Sequence, residues 1–263
     1  MPMSRWTDAA GPALAAVDLD ALARAVRRGT LELASPGLEL GRLVAVELAG
    51  RARTLLADLS RRGMPAEHAA GCLEVLATQA RETEARRPEL VWSNFDTSGM
   101  LDTEAASAAL FASAEHSVIV STYSVGLRRG GLPLLFPLRD RLLDRPKLQI
   151  QILLGAPGQE RTDVLRSIAR LDRAAWTHFW PWRPRPALYV GPARPDQAGV
   201  CVHAKCIVVD DERALVTSAN LTRGGHETNV EAGVLLNDRE LAHSLRVQLQ
   251  RLISRGLVRP IRG

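Results

Sequence analysis

The sequence predicts an α/β fold, a layered α-β-α sandwich preceded by an N-terminal helical segment. Three observations carry that expectation. Apolar residues recur at helical spacing through the first third of the chain, and the texture changes at Arg86-Arg87-Pro88. From there strand-like and helix-like runs alternate, as in a sheet covered by helices. The expected division is residues 1–89 for the helical region and 90–263 for the α/β domain.

In the helical region Leu14, Val17, Leu22 and Val26 mark one amphipathic run. Leu40, Leu43, Val46, Leu48, Leu55, Leu56 and Leu59 continue the pattern, and Leu73 and Leu76 close it. Ser35-Pro36-Gly37 and Gly63-Met64-Pro65 punctuate these runs. The result is three or four helices without catalytic spacing, suited to packing or dimerisation, or to a DNA-binding helix pair entered at Pro65. Beyond the boundary, Val91 to Phe95 leads into a helix over Thr103 to Ser113, and a strand follows from Ser117 to Tyr123. The alternation continues with a helix from Leu132 to Leu143, a strand from Leu148 to Leu154, a helix from Thr162 to Ala174 and a strand from Ala187 to Val190. Cys206 to Val209, Arg213 to Thr217 and Ala232 to Leu236 read as three further strands. An amphipathic helix over Asp238 to Ile253 places Leu241, Leu245, Leu249 and Leu252 on one side, and Arg255, Arg259 and Arg262 trail it as a solvated or phosphate-touching end.

The chain of 263 residues is long enough to bury a sizeable core. Its net charge of +5 fits a polyanionic partner, since each arginine placed on a phosphate releases counterions. An arginine-rich composition also follows from a biased genome. No run approaches the roughly 20 apolar residues of a membrane span, so integral membrane contact is not expected. Asp8, Asp18 and Asp20 stand where a secretory signal would be basic and then apolar, so a cytoplasmic location is expected. Three cysteines, Cys72, Cys201 and Cys206, cannot all pair, and the latter two read as strand packing. With no further Cys or His at ligand spacing, no metal site and no cofactor are expected.

His203, Lys205, Asp210, Ser218 and Asn220 fall within one eighteen-residue window. Extended chain has period two, so His203 and Lys205 project from one face while Val202, Ala204 and Cys206 point into packing, and Ser218 and Asn220 share a side. An imidazole, an ammonium, a hydroxyl and a carboxamide at one sheet edge suit a phosphodiester. The imidazole can attack phosphorus, while the ammonium and amide hold non-bridging oxygens. Lys147 and Lys205 are the only lysines, so a lysine in this window is a choice of compact charge over the guanidinium fork.

These residues resemble the H-x-K-x4-D motif of the phospholipase D superfamily, followed at family spacing by a G-S-x-N element written here Thr217-Ser218-Ala219-Asn220. Thr222, Glu227, Asn229 and Glu231 are similar to the N-x-T and E-x-N-x-E positions of its compact bacterial endonuclease branch. Thr217 departs from the usual glycine, and Arg223 stands where related nucleases carry a neutral amide. The layout, with a single motif after a helical segment, and the stretch from Ser218 to Glu231 resemble more narrowly the phospholipase D-like family of the DISARM anti-phage system.

The resemblance implies a metal-independent phosphodiesterase, with nuclease activity in phage defence as the leading expectation and a phosphohistidine intermediate at His203. Lys205, Asn220 and Ser218 would bind phosphoryl oxygens, Glu231 would orient His203, and Asp210 would belong to the catalytic set or support its strand. Superfamily chemistry uses two histidines. The second is His203 of another copy across a homodimer, which is preferred, or His226. The implied partners are nucleic acid, DNA ahead of RNA, and other defence-system proteins. A phospholipase or cardiolipin-synthase-like phosphatidyltransferase is the first alternative, and a non-catalytic nucleic-acid-binding subunit the second. Trp176, His178, Phe179, Trp180 and Trp182, interleaved with Arg183 and Arg185, form a proline-rich loop that either stacks bases or is pinned to the core. Trp180, Trp182, Arg183 and Arg223 are therefore candidate substrate contacts, whereas His178 and His116 read as structural.

Overall fold

A computed structural model of the protein describes residues 13–93, 101–156, 161–192 and 201–261. The chain divides into two compact units, Met1–Arg86 and Arg87–Gly263. The boundary lies before the expected residue 89 because Glu89 already pairs with Leu235 in the sheet of the second unit.

In the first unit the helices are α1 (Ala16–Arg27), the single turn α2 (Leu40–Leu43), α3 (Ala49–Arg61) and α4 (Ala66–Ala85). Leu22, Leu40, Leu56 and Leu73 are wholly buried in one core. The Arg27 guanidinium of α1 spans Glu67 and Glu74 of α4, which raises its already high pKa and lowers that of Glu74. None of these helices carries the residues of the motif window.

The second unit is built on a nine-stranded sheet. In chain order its strands are β1 (Glu89–Ser93), β2 (Leu101–Asp102), β3 (Ser117–Thr122), β4 (Gln149–Gly155), β5 (Ala187–Gly191), β6 (Cys206–Val209), β7 (Arg213–Thr217), β8 (Glu231–Leu236) and β9 (Arg259–Pro260). Across the sheet the order is β2-β1-β8-β7-β6-β3-β4-β5-β9. Strands β3, β4 and β5 run parallel, while β6, β7 and β8 form an antiparallel meander between β3 and β1. The helices are α5 (Thr103–Ser113), α6 (Phe136–Asp144), α7 (Arg161–Ala174) and α8 (Arg239–Ser254).

Strand alternation sorts the core into two layers. Val118 and Val120 of β3, with Ile207 and Val209 of β6, pack with Leu110, Leu138 and Leu171 of α5, α6 and α7. Ile119, Cys206 and Val208 face the other way, onto Ala242 and Leu249 of α8. This is the α-β-α sandwich. Asp102 and Asp238 cap α5 and α8, each carboxylate accepting two first-turn N–H groups at 2.9 and 3.0 Å.

Several local expectations change. Residues Val91 to Ser93 belong to a paired strand, not a lead-in. The segment Ala175–Phe179 continues α7 as a π-helical turn, so the aromatic loop starts only at Trp180. The C-terminal end is not frayed at Arg259, which pairs with Val190 and holds Asp172 through two nitrogens at 3.2 and 2.6 Å. Cys201 is exposed, so only Cys206 packs as expected, its thiol pKa pushed up by burial against a smaller opposing effect of Lys205. Among the described residues no helix is long and apolar enough to cross a membrane.

Candidate active site

The register of the sheet assembles the site. Ser121 of β3 lies opposite Cys206, Cys206 opposite Val216, Thr217 opposite Gly233, and Ser93 opposite Glu231. The carboxyl ends of β1, β3 and β7 and the starts of β6 and β8 therefore meet at one edge. His203 and Lys205 precede β6, Ser218 and Asn220 follow β7, and Glu231 opens β8. Crevices outside strand carboxyl ends are where layered α/β proteins place ligands.

Residues 201–205 are outside the ladder and held by their backbone: Ser121 Oγ donates to the Ala204 carbonyl (2.9 Å), and the Thr217 N–H to the Lys205 carbonyl (3.1 Å). Val202 and Cys206 are buried on the α8 side as alternation requires, but Ala204 is exposed. His203 and Lys205 are neighbours. Lys205 Nζ donates to the His203 carbonyl at 2.9 Å and stands 3.4 Å from His203 Nδ1. Tyr123, just past β3, braces both, its ring centroid 4.6 Å from the imidazole and 5.6 Å from Lys205 Nζ. The ammonium over the ring face is a cation–π contact.

Asn220 is fixed by its amide oxygen. Oδ1 accepts the Ser124 N–H at 3.1 Å, so the two donors of Nδ2 are turned away from that contact. Buried Thr122 ties this turn to β3. Its Oγ1 accepts the Leu221 N–H (3.1 Å), donates to the Ser124 carbonyl (3.0 Å) and lies 3.4 Å from Asn220 Oδ1. Ser218 turns the other way: its hydroxyl donates to Glu231 Oε2 and accepts the Ala232 N–H (3.1 Å). Asn229 Nδ2 donates to Glu231 Oε1 at 3.1 Å.

One expected contact, from Glu231, differs in the structure, and Asp210 takes the strand-supporting place that the sequence left open beside a catalytic one. The bond from Glu231 to His203 is not made among the described residues. Glu231 and the histidine segment are two strand spacings apart, about 10 Å, with β7 between, and Ser218 and Asn229 take up the carboxylate. Asp210 is not at this edge at all. It ends β6 at the opposite end, near the start of β3, where its carboxylate accepts the N–H groups of Glu115, His116 and Ser117, each at 2.7 Å. His116 is exposed and lies at that far end too.

Residues 108–253, more than half of the chain, match the family model described as cardiolipin synthase, phospholipase D-like domain. The chain belongs to the phospholipase D-like family. Solved structures similar to this phospholipase D-like protein include Nuc, a phospholipase D family member from Salmonella typhimurium, at 18% identity and TM-score 0.43, covering 67% of this chain and 100% of that one. NucT from Helicobacter pylori is similar at 15% identity and TM-score 0.44, over 64% and 96% of the two chains. Phosphatidylserine synthase of Haemophilus influenzae Rd KW20 is similar at 13% identity and TM-score 0.41, over 74% and 49%. No curated protein matches the chain.

The aromatic candidates do not line the site of this phospholipase D-like domain as free stacking platforms. Trp180 is fully buried, with its indole N–H on the Pro184 carbonyl at 3.1 Å. Trp182 is half-buried and meets Trp180 and Phe136 edge-on, at centroid distances of 5.3 and 5.5 Å. The core-pinned alternative is the one the structure adopts. Arg183 and Arg223 are exposed. The side chains of His226 and Glu227 lie outside what the structure describes. Tyr123 and Thr122 were not singled out from sequence, although their place at the carboxyl end of a strand was a usable signal.

Proposed function

We propose that this phospholipase D-like protein is a metal-independent nuclease that works through a phosphohistidine at His203. The observation that carries the reading is the side-by-side placement of His203 and Lys205 at the sheet edge where Asn220 is fixed by its amide oxygen, which leaves its Nδ2 donors off that contact. Imidazole, ammonium and amide donors are the groups that attack and hold a phosphodiester.

An ammonium can only donate, so its approach to Nδ1 favours the tautomer that carries its proton on Nε2. A phosphate entering between Lys205 and Asn220 draws the ammonium toward its own oxygens. Nδ1 can then hold the ring proton, which leaves the Nε2 lone pair to attack phosphorus in line with the leaving oxygen. A P–N bond forms, the P–O bond breaks, and a second imidazole protonates the leaving oxygen. That imidazole then takes a proton from water as the water oxygen attacks phosphorus, releasing the phosphomonoester and His203. The chain has one complete motif, which supports a homodimer in which His203 of a second copy is the second imidazole.

The basic net charge supports DNA or RNA as the polyanion, DNA foremost, and the DISARM-like layout supports a role in phage defence with other defence proteins as partners. The cardiolipin synthase description of the matched family favours a second reading, phosphatidyl transfer on lipid. The test is cleavage of single- and double-stranded DNA and RNA in excess EDTA by wild type and His203→Ala, with phosphatidylglycerol vesicles in parallel. Cleavage of a polynucleotide by wild type alone supports the nuclease. Lipid turnover with every polynucleotide intact replaces it with the second reading.

A further inference from the structure

We propose that Arg128, Arg129 and Arg183 form a basic ridge beside the site that binds backbone phosphates flanking the scissile linkage of a polynucleotide. The inference rests on the nuclease reading above and assigns its substrate track.

The ridge is carried on two loops braced against each other. The loop leaving β3 is fixed at its near end to the site itself, through the Ser124 N–H on Asn220 Oδ1 (3.1 Å) and the Gly126 N–H on the Leu221 carbonyl (2.8 Å). Its far end is fixed to the aromatic segment, where the Arg128 N–H donates to the His178 carbonyl at 3.1 Å. Gly131 then lies so close to Trp182 that a Cβ there would sit 2.3 Å from the indole Cη2, and its φ of 88° also favours glycine. Trp182 in turn packs on Trp180 and Phe136. The tryptophans of this loop are thus the mounting of the basic loop rather than contacts for bases.

What this mounting presents is uncompensated charge. Arg128, Arg129 and Arg183 are exposed, and among the described residues none of the three forms an ion pair. Neither residues 123–135 nor residues 180–186 contain an aspartate or glutamate. Neighbouring arginines are used otherwise: Arg139 pairs with Asp140 and lies over Phe136 and Trp182, and Arg185 lies over Trp176. Arg128 is four Cα–Cα steps on from Ser124, at most about 14 Å of chain. One strand carries a phosphate about every 3.4 Å of rise, so the ridge is within reach of phosphates a few nucleotides from the bond held at His203. Guanidinium groups on a rigid base lose little freedom in taking up phosphate oxygens.

The test is binding of a 20-nucleotide single-stranded DNA across a salt series in EDTA, in the His203→Ala background to stop turnover. The full chain is compared with the same chain bearing Arg128→Gln, Arg129→Gln and Arg183→Gln, glutamine keeping much of the stem. Three lost phosphate contacts lower the slope of log affinity against log salt by about 2, at roughly 0.7 per contact. An unchanged slope with DNA still bound overturns the ridge and leaves the nuclease reading standing. Should the triple variant melt early, the single variants decide: each lowers the slope by about 0.7 if the ridge is real, and by nothing if it is not. Failure of the parent chain to bind any polynucleotide, together with no cleavage by wild type, removes the nuclease reading and the ridge with it.

Discussion

Replacing Asp210 separates the part of the motif that holds the sheet from the part that handles phosphate. Its carboxylate accepts three backbone N–H bonds at 2.7 Å, tying the end of β6 to the start of β3, and its own N–H donates to the Ser117 carbonyl at 2.9 Å. Hydrogen bonds to a charged acceptor contribute about 1.5–3 kcal/mol each. The three share one carboxylate near the surface, and water recovers part of the loss, so Asp210→Ala is expected to cost about 2–4 kcal/mol. Asp210 also has a φ of 54°, which aspartate and asparagine tolerate better than alanine. Asp210→Asn keeps that tolerance and one oxygen for His116 and Ser117, and should lose about half as much. For a unit of this size the alanine variant melts about 4–16 °C lower. Thermal unfolding followed with turnover per folded molecule is the assay. Folded Asp210→Asn should cleave within a few-fold of wild type. Wild-type melting with turnover lost a hundredfold would refute the reasoning and return Asp210 to the catalytic set.

Thr122→Val removes the hydroxyl that ties Leu221 and Ser124 to the Asn220 turn, and kcat should fall about 10- to 100-fold with KM little changed. Thr122→Ser should restore it; a normal kcat with only a lower Tm would make Thr122 a packing residue. Trp180→Ala empties a fully buried site and should cost about 3–5 kcal/mol in a denaturant titration, whereas loss of DNA binding at wild-type stability would mean that Trp180 stacks bases after all. Burial pushes the Asp211 carboxyl up, but hydrogen bonds and charge from Arg246 and His243 outweigh it and hold its pKa below the ordinary carboxylate value. A pKa depressed by folding means stability that is present above the unfolded value and is lost as pH falls through the folded one. Asp211→Asn should therefore be less stable than wild type at pH 6, with the gap closing below about pH 4; a gap of equal size at pH 3 would contradict that.

Elements with their own periodicity were legible in the sequence. Helix α5 and strand β7 span the residues their patterns predict, and β3, β4, β5 and α8 differ from expectation by a residue at their ends. What escaped depends on partners far along the chain. Strand β1 is stabilised by β8, about 140 residues away, and two-residue β9 by β5, so neither has a strong local signature. The same holds at the site. His203, Lys205, Ser218 and Asn220 could be gathered from spacing, because β6 and β7 are neighbours in sequence. The placement of Asp210 depends on residues 93 to 95 positions away, and the fixing of Asn220 on Thr122 and Ser124. Trp180 was left open between stacking and packing for a related reason: an aromatic loop rich in arginine is decided only by its burial.

The central claim is that His203 itself bonds to phosphorus. Wild type mixed with a DNA substrate, quenched in base and digested, should yield a peptide containing His203 that carries a phosphoryl adduct, and acid should remove it. His203→Ala should give neither adduct nor cleavage. Cleavage that persists in His203→Ala, or rapid wild-type turnover with an adduct on a different residue, would contradict the account.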